Sequence, residues 1–184
     1  SLQGPGRILG SGGFGQTASQ PLLARRCAIN IIDDDAEMIR AAETFGFKVW
    51  FGDGTRLDIL KAAGADTARA VLIATDKKET TTRIAKLVKH EFPTATVLAR
   101  AWDRAHALEL IREGVDHQMR EVFHSALALG GEALEVLGVD PDEIGAIQEG
   151  ILRRDAERLA LQMTGDIYSG RSLIIGNAEH TVRT

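Results

Sequence analysis

Gly10, Gly12 and Gly15 stand in a Gly-x-Gly-x-x-Gly array that joins the short apolar run Ile8-Leu9 to the start of a helix at Phe14. Each glycine has a physical task in a loop that holds phosphate. Gly10 permits a tight turn, Gly12 lets a pyrophosphate approach the backbone, and Gly15 lets the helix pack closely on the sheet. Gly13, Phe14 and Gln16 complete the loop and the first helical turn. The N–H groups at a helix start offer partial positive charge to an anion. Asp33 closes a second apolar run, Ile29-Asn30-Ile31-Ile32, at the place about twenty residues on where an acid accepts hydrogen bonds from ribose hydroxyls. The competing reading is a glycine-rich turn in an α/β protein without a ligand.

A cradle of this kind works only at the carboxyl ends of parallel strands, and the rest of the chain supplies them. Apolar runs alternate with helical patterns. Strands are predicted at Ile8-Leu9, 28–33, 48–51, 70–75, 96–100 and, weakly, 115–118. Helices are predicted over 14–25, 36–45, 57–63, 79–92 and 105–113, with Pro21 a point of bending in the first. Strands rich in Val, Ile and Leu without polar alternation fit a parallel sheet covered on both faces. Right-handed crossovers then give a Rossmann-like, doubly wound, six-stranded α/β fold with its ligand crevice at the strand ends. Residues 1–119 form this nucleotide-binding domain, 120–164 a helical segment and 165–184 a tail without a clear element.

Beyond Arg120 the pattern is different. Phe123, Leu127, Gly130, Leu134 and Leu137 recur at alternating steps of four and three, with Ala126 and Ala133 beside them, which is a narrow apolar seam on a helix. Gly130-Gly131 within it costs about 1 kcal/mol per glycine relative to alanine, and close helix–helix contact compensates. The seam either packs on the chain's own sheet or pairs residues 121–137 with those of a second subunit in a homodimer, the favoured reading. Asp140-Pro141-Asp142-Glu143 marks a further helix start, and Ile144, Ile147 and Ile151 continue an apolar face.

The formal charge of −4 argues against nucleic acid, which needs a basic face. Cys27 is the one cysteine, so no intrachain disulfide forms. It reads as a small buried residue rather than a reactive thiol. The longest apolar run, Ala70 to Ala74, is far below the roughly 20 residues that span a bilayer. The chain reads as soluble, with room to be one end of a membrane protein. His106, His117 and His124 are candidate general acids, but their spacing offers no compact metal-ligand pattern. Tyr168 has no lysine four residues on, so a Tyr-x-x-x-Lys proton relay is missing. A nicotinamide-dependent dehydrogenase is therefore the weaker alternative, and no catalytic residue is assigned.

Gly52-Asp53-Gly54-Thr55-Arg56-Leu57-Asp58 after the third strand, with Ala63-Gly64-Ala65-Asp66 below it, resembles the RCK (TrkA-N) nucleotide-binding domain. Within that group the chain looks most like the cytosolic domain of Kef-type potassium/proton antiporters, the glutathione-gated efflux systems. Phe14-Gly15-Gln16, His90-Glu91-Phe92-Pro93, Leu98-Ala99-Arg100-Ala101-Trp102-Asp103 and Arg120-Glu121-Val122-Phe123 carry the closer match, over residues 7 to 160.

The resemblance implies a regulatory domain on the cytoplasmic face of the inner membrane. It would be covalently linked to transporter helices, dimeric, and occupied by AMP or NAD(H). It implies that Asp53, Gly54 and Thr55 sit against the adenine ring, although Asp53 equally suits an Asx turn. Asp33 and the adjacent Asp34 would repel a 2′-phosphate, favouring NAD or AMP over NADP. Thr75 and Asp76 face the same crevice, or Asp76 caps the next helix. Arg100 meets phosphate or pairs with Asp103. Arg120 matches an arginine of a second, glutathione site. Glutathione-gated members carry Arg-Arg-Phe-Asn where this chain has Arg153-Arg154-Asp155-Ala156, and an arginine at Trp102. A Trk- or channel-type potassium system shares the same domain and is the related alternative.

Overall fold

The computed structural model describes residues 6–10, 13–44 and 48–165. Two compact units divide the chain, Ser1–Met119 and Arg120–Thr184. In order, the elements are β1 (Gly6–Leu9), α1 (Gly13–Ala24), β2 (Ile29–Asp33), α2 (Ala36–Thr44), β3 (Lys48–Phe51), α3 (Leu57–Ala62), a 3-10 turn (Ala65–Thr67) and β4 (Ala70–Ile73). They continue as α4 (Lys78–Glu91), β5 (Thr96–Ala101), α5 (Arg104–Arg112), β6 (His117–Arg120), α6 (Glu121–Val136) and α7 (Pro141–Thr164). Gly12, the residue 45 end expected for α2, and the tail beyond Gly165 lie outside the described residues.

Hydrogen-bonded neighbours in the sheet run β3-β2-β1-β4-β5-β6. The registers of β1 with β2 and β4, of β2 with β3 and of β4 with β5 are all parallel. This is the α/β Rossmann-like order, in which the chain reverses direction across the sheet between β1 and β4. Strand alternation splits the core between two faces. Ile32, Val71, Ile73 and Val97 join Leu60, Ile84, Val88 and Leu110 in the larger cluster. Ile31 and Ile29 pack with Leu22, Leu23, Val49 and Leu72 in the smaller one. Cys27 is half-buried against that smaller cluster. Both faces being covered explains why these strands lack polar alternation.

Boundaries shift by a residue or two, and one shift is instructive. The sixth strand starts at His117 rather than Val115. The side chain of Asp116 does part of a strand's work: its carboxylate accepts the Val97 N–H at 2.7 Å while its own N–H donates to the Val97 carbonyl at 3.0 Å. Lys89 of α4 reaches the same carboxylate at 3.2 Å.

In the second unit, α7 begins as its sequence requires. Asp140 accepts the Asp142 N–H at 2.9 Å, with Pro141 in the first turn. α6 and α7 pack closely at Gly131, where a Cβ would meet Gln148 and Ile144, and Gln148 donates to the Leu127 carbonyl at 3.3 Å. Phe123, Leu127 and Leu134 are consequently half-buried, while Gly130 has open space. Of the seam read in the sequence, Leu137 with the flanking Ala126 and Ala133 stays exposed, and Val122, Leu129 and Val136 face solvent beside them. Among the described residues no helix is long and apolar enough to cross a membrane.

Candidate functional site

The loops at the carboxyl ends of β1 to β4 surround a cavity of about 430 Å³, toward the small end of the roughly 300–1,000 Å³ usual for ligand pockets. Backbone hydrogen bonding continues one residue past the strands and holds these loops in place. Gly10 N–H donates to the Ile32 carbonyl at 3.0 Å, and Gly52 N–H to the Asp33 carbonyl at 2.9 Å. Gly10 has φ 89°, and a Cβ there would meet the Ala74 carbonyl at 2.9 Å. At Gly15 a Cβ would run into the Gly10 carbonyl oxygen. The first and last glycines of the array are thus required by the turn and by the approach of α1 to it.

Of the residues singled out in the sequence, the cavity brings together Gly10, Gly13, Asp33, Asp34, Asp53, Gly54, Thr75 and Asp76. Phe14, Gly15, Gln16, Thr55 and Arg100 do not line it, and Gly12 is outside the described residues. Missed by sequence reasoning are Asp35, Lys77, Thr80 and the apolar floor of Ile32, Ala74 and Ile84. Among the described residues Lys77 is the one cation in the lining. Its position directly after Thr75-Asp76, at the turn into α4, was the available signal.

Local bonding shapes the rim. Asp33 accepts the Asp35 N–H at 2.7 Å. Asp53 accepts both the N–H and the hydroxyl of Thr55, at 2.8 and 2.7 Å, so the Asx turn expected there is present. These two bonds hold the Asp53 carboxyl below its ordinary value. Thr55 therefore shapes the site through Asp53 without lining it. Thr75 hydroxyl lies 2.7 Å from that of Thr81 in α4, fixing the β4–α4 turn.

Two alternatives left open by the sequence are narrowed here: Asp76 lines the cavity. Asp76 does not cap α4, whose N-cap is Lys77 without a side-chain bond. Nor does Arg100 pair with Asp103, which instead caps α5 by accepting the His106 N–H at 2.7 Å. Arg100 binds Asp76 at 3.3 Å and lies against the rings of Phe14 and Trp102, 5.2 and 4.8 Å from their centroids.

His106 is fully buried between α4 and α5. Its Nδ1 accepts the Trp102 N–H at 3.2 Å, which places the ring proton on Nε2, 3.1 Å from the Thr82 hydroxyl. Burial pushes its pKa down. His124 Nδ1 lies 2.9 Å from the Arg120 carbonyl. Among the described residues no cluster could hold a metal ion.

In the second unit Arg120 is ion-paired with Asp155 of α7, and its guanidinium lies 4.3 Å from the centroid of the Phe123 ring. The arginine matched by resemblance to a second, glutathione site is engaged by a carboxylate of the chain itself.

Residues 7–121 match the TrkA-N domain family. Over 152 residues, 83% of this chain, the sequence is 39% identical to a glutathione-regulated potassium-efflux system protein of Haemophilus influenzae, and it spans 25% of that relative's length. The fold is similar to the Shewanella denitrificans Kef C-terminal domain in AMP-bound form, with TM-score 0.79, 33% identity and coverage of 87% of this chain and 98% of that one. A GsuK channel bound to NAD shares the fold at TM-score 0.58 and 18% identity, over 65% of this chain and 22% of that one.

Proposed function

Because the chain belongs to the TrkA-N domain family, we propose that it is the nucleotide-sensing regulatory part of a Kef-type potassium/proton antiporter, on the cytoplasmic face of the membrane that holds the transporter. The crevice takes an adenine nucleotide, AMP or NAD(H). Phosphate lies over Gly10 and the start of α1 at Gly13, where helix N–H groups and Lys77 supply positive charge. Asp33 accepts from the ribose hydroxyls, and the Asp53-Gly54-Thr55 turn meets the base edge. The observation that carries this reading is the cavity itself, which gathers the glycine turn, the β2 acid and the β3 turn from three separate segments of sequence.

A nucleotide alters transport only by binding one state of the protein better than another, and no catalytic step is needed. The second state involves a partner copy. α6 presents Val122, Leu129 and Val136 at 71%, 72% and 87% exposure, in steps of seven with alanines between them, a spacing suited to a helix–helix seam. This stripe is the homodimer contact. At Arg120 an anionic peptide such as glutathione has to displace Asp155, so control by it is weak in this chain. Differential scanning fluorimetry with AMP, NADH and guanosine monophosphate tests the nucleotide assignment. A melting temperature raised by the adenine compounds alone is expected, and no response to either overturns it.

A further inference from the structure

We propose that His106 is a proton-sensitive latch behind the crevice: its neutral ring fixes the part of α4 that lines the cavity, and its protonation frees that part, so that acidification weakens nucleotide binding. The inference rests on the nucleotide reading above and adds a regulation to it. The ring is fully buried, and the groups around it suit one neutral form alone. Nδ1 accepts the Trp102 N–H at 3.2 Å, so the proton sits on Nε2, 3.1 Å from the Thr82 hydroxyl. That hydroxyl donates in turn to the Lys78 carbonyl at 3.3 Å. Donor and acceptor alternate along the whole relay, from the turn after β5 to the first turn of α4.

One end of the relay bears on the crevice. Thr82 stands between Thr80 and Ile84, which line the cavity from α4, and Lys78 follows Lys77, the cation of the lining. At the other end Asp103 accepts the His106 N–H at 2.7 Å, so the ring and the turn at Trp102-Asp103 hold one another. A second ring proton has to go on Nδ1, where it faces the Trp102 N–H, leaving two donors and no acceptor. The charged ring is accommodated only if α5 and its turn draw away from α4. Burial is the main force against that charge; Glu109 and Asp103 of α5 and Glu79 of α4 favour it, and Lys78 of α4 opposes it. From β5, Arg100 is turned to Asp76. A nucleotide that holds α4 in place therefore holds the ring neutral, and proton and nucleotide oppose one another by linkage.

Isothermal titration calorimetry with AMP at about pH 7.5 and about pH 5.5, for the native chain, His106→Gln and Thr82→Val, tests this. The phosphate of AMP itself titrates at about pH 6, so the result is read as the difference between chains. All three are expected to bind alike at the higher pH, and the native affinity to fall at least threefold further than that of either variant at the lower. Thr82→Val keeps the ring but cuts its bond to α4, so its melting temperature should still fall with acid while its excess loss of affinity disappears. Should His106→Gln fail to fold, Thr82→Val decides by the same comparison. A Thr82→Val chain whose affinity falls as far as the native one removes the relay and overturns the proposal. Equal falls in all three chains overturn it too, and leave the nucleotide reading standing. A native chain that binds AMP at neither pH overturns that reading together with it.

Discussion

Lys77 stands among five lining carboxylates, Asp33, Asp34, Asp35, Asp53 and Asp76, so a phosphate entering the crevice meets mostly like charge from side chains. Its attraction then comes from backbone N–H groups and from this one ammonium. Truncating Lys77 to alanine is expected to weaken AMP binding about tenfold, ~1.4 kcal/mol, with no change in the melting temperature of the unliganded protein; calorimetry and fluorimetry read the two effects separately. His106 yields a pH prediction. Its folded-state pKa is depressed by burial below the ordinary 6.5, so the unfolded chain binds the proton first. Stability is therefore undiminished above about pH 6.5 and falls as the pH drops below it. Melting curves between pH 7.5 and 5 should show that fall, and His106→Gln should flatten it. Single residues were legible only where their partners are near in sequence. The Asp53–Thr55 turn could be read from spacing of two. The Arg100–Asp76 pair could not, because it links the ends of two adjacent strands, and chain distance carries no information about which loops meet there.

At the scale of elements, hydrophobic period and caps identified the helices well: Asp140-Pro141 opens α7 because one side chain satisfies an orphan N–H and the ring pre-sets the first turn. The outward face of α6 was harder. Gly131 lets α7 approach on one side, where Phe123, Leu127 and Leu134 become half-buried, and Val122, Leu129, Val136 and Leu137 stay uncovered. Sequence shows that a helix has an apolar stripe, but the neighbour decides which part stays uncovered. Leu129→Asp should convert a dimer to a monomer in analytical ultracentrifugation while leaving the circular dichroism spectrum unchanged. A dimer that persists removes α6 as the contact. Asp155→Ala, which breaks a largely buried ion pair with Arg120, should cost about 3 kcal/mol, read as a lowered denaturant midpoint.

For the molecule as a whole, a doubly wound parallel sheet followed from the alternation of strands and helices, since right-handed crossovers leave few ways to wind one. The full lining of the crevice did not, because Asp35, Lys77 and Thr80 reach it from loops and a helix start that the strand pattern does not describe. If AMP at one hundred times its dissociation constant binds the folded state alone, the gain is about 2.7 kcal/mol, which a denaturation series with and without the nucleotide measures directly. The parallel registers have a further kinetic consequence. Every pairing from β1 to β5 joins strands separated by a crossover, so the phosphate cradle is absent until distant stretches of chain have docked. An occupant then acts on the exit from the native state and not on the route into it. Saturating AMP should lengthen the survival of the chain under a fixed dose of protease and slow the unfolding limb of a stopped-flow chevron, while refolding proceeds at the rate of the empty protein.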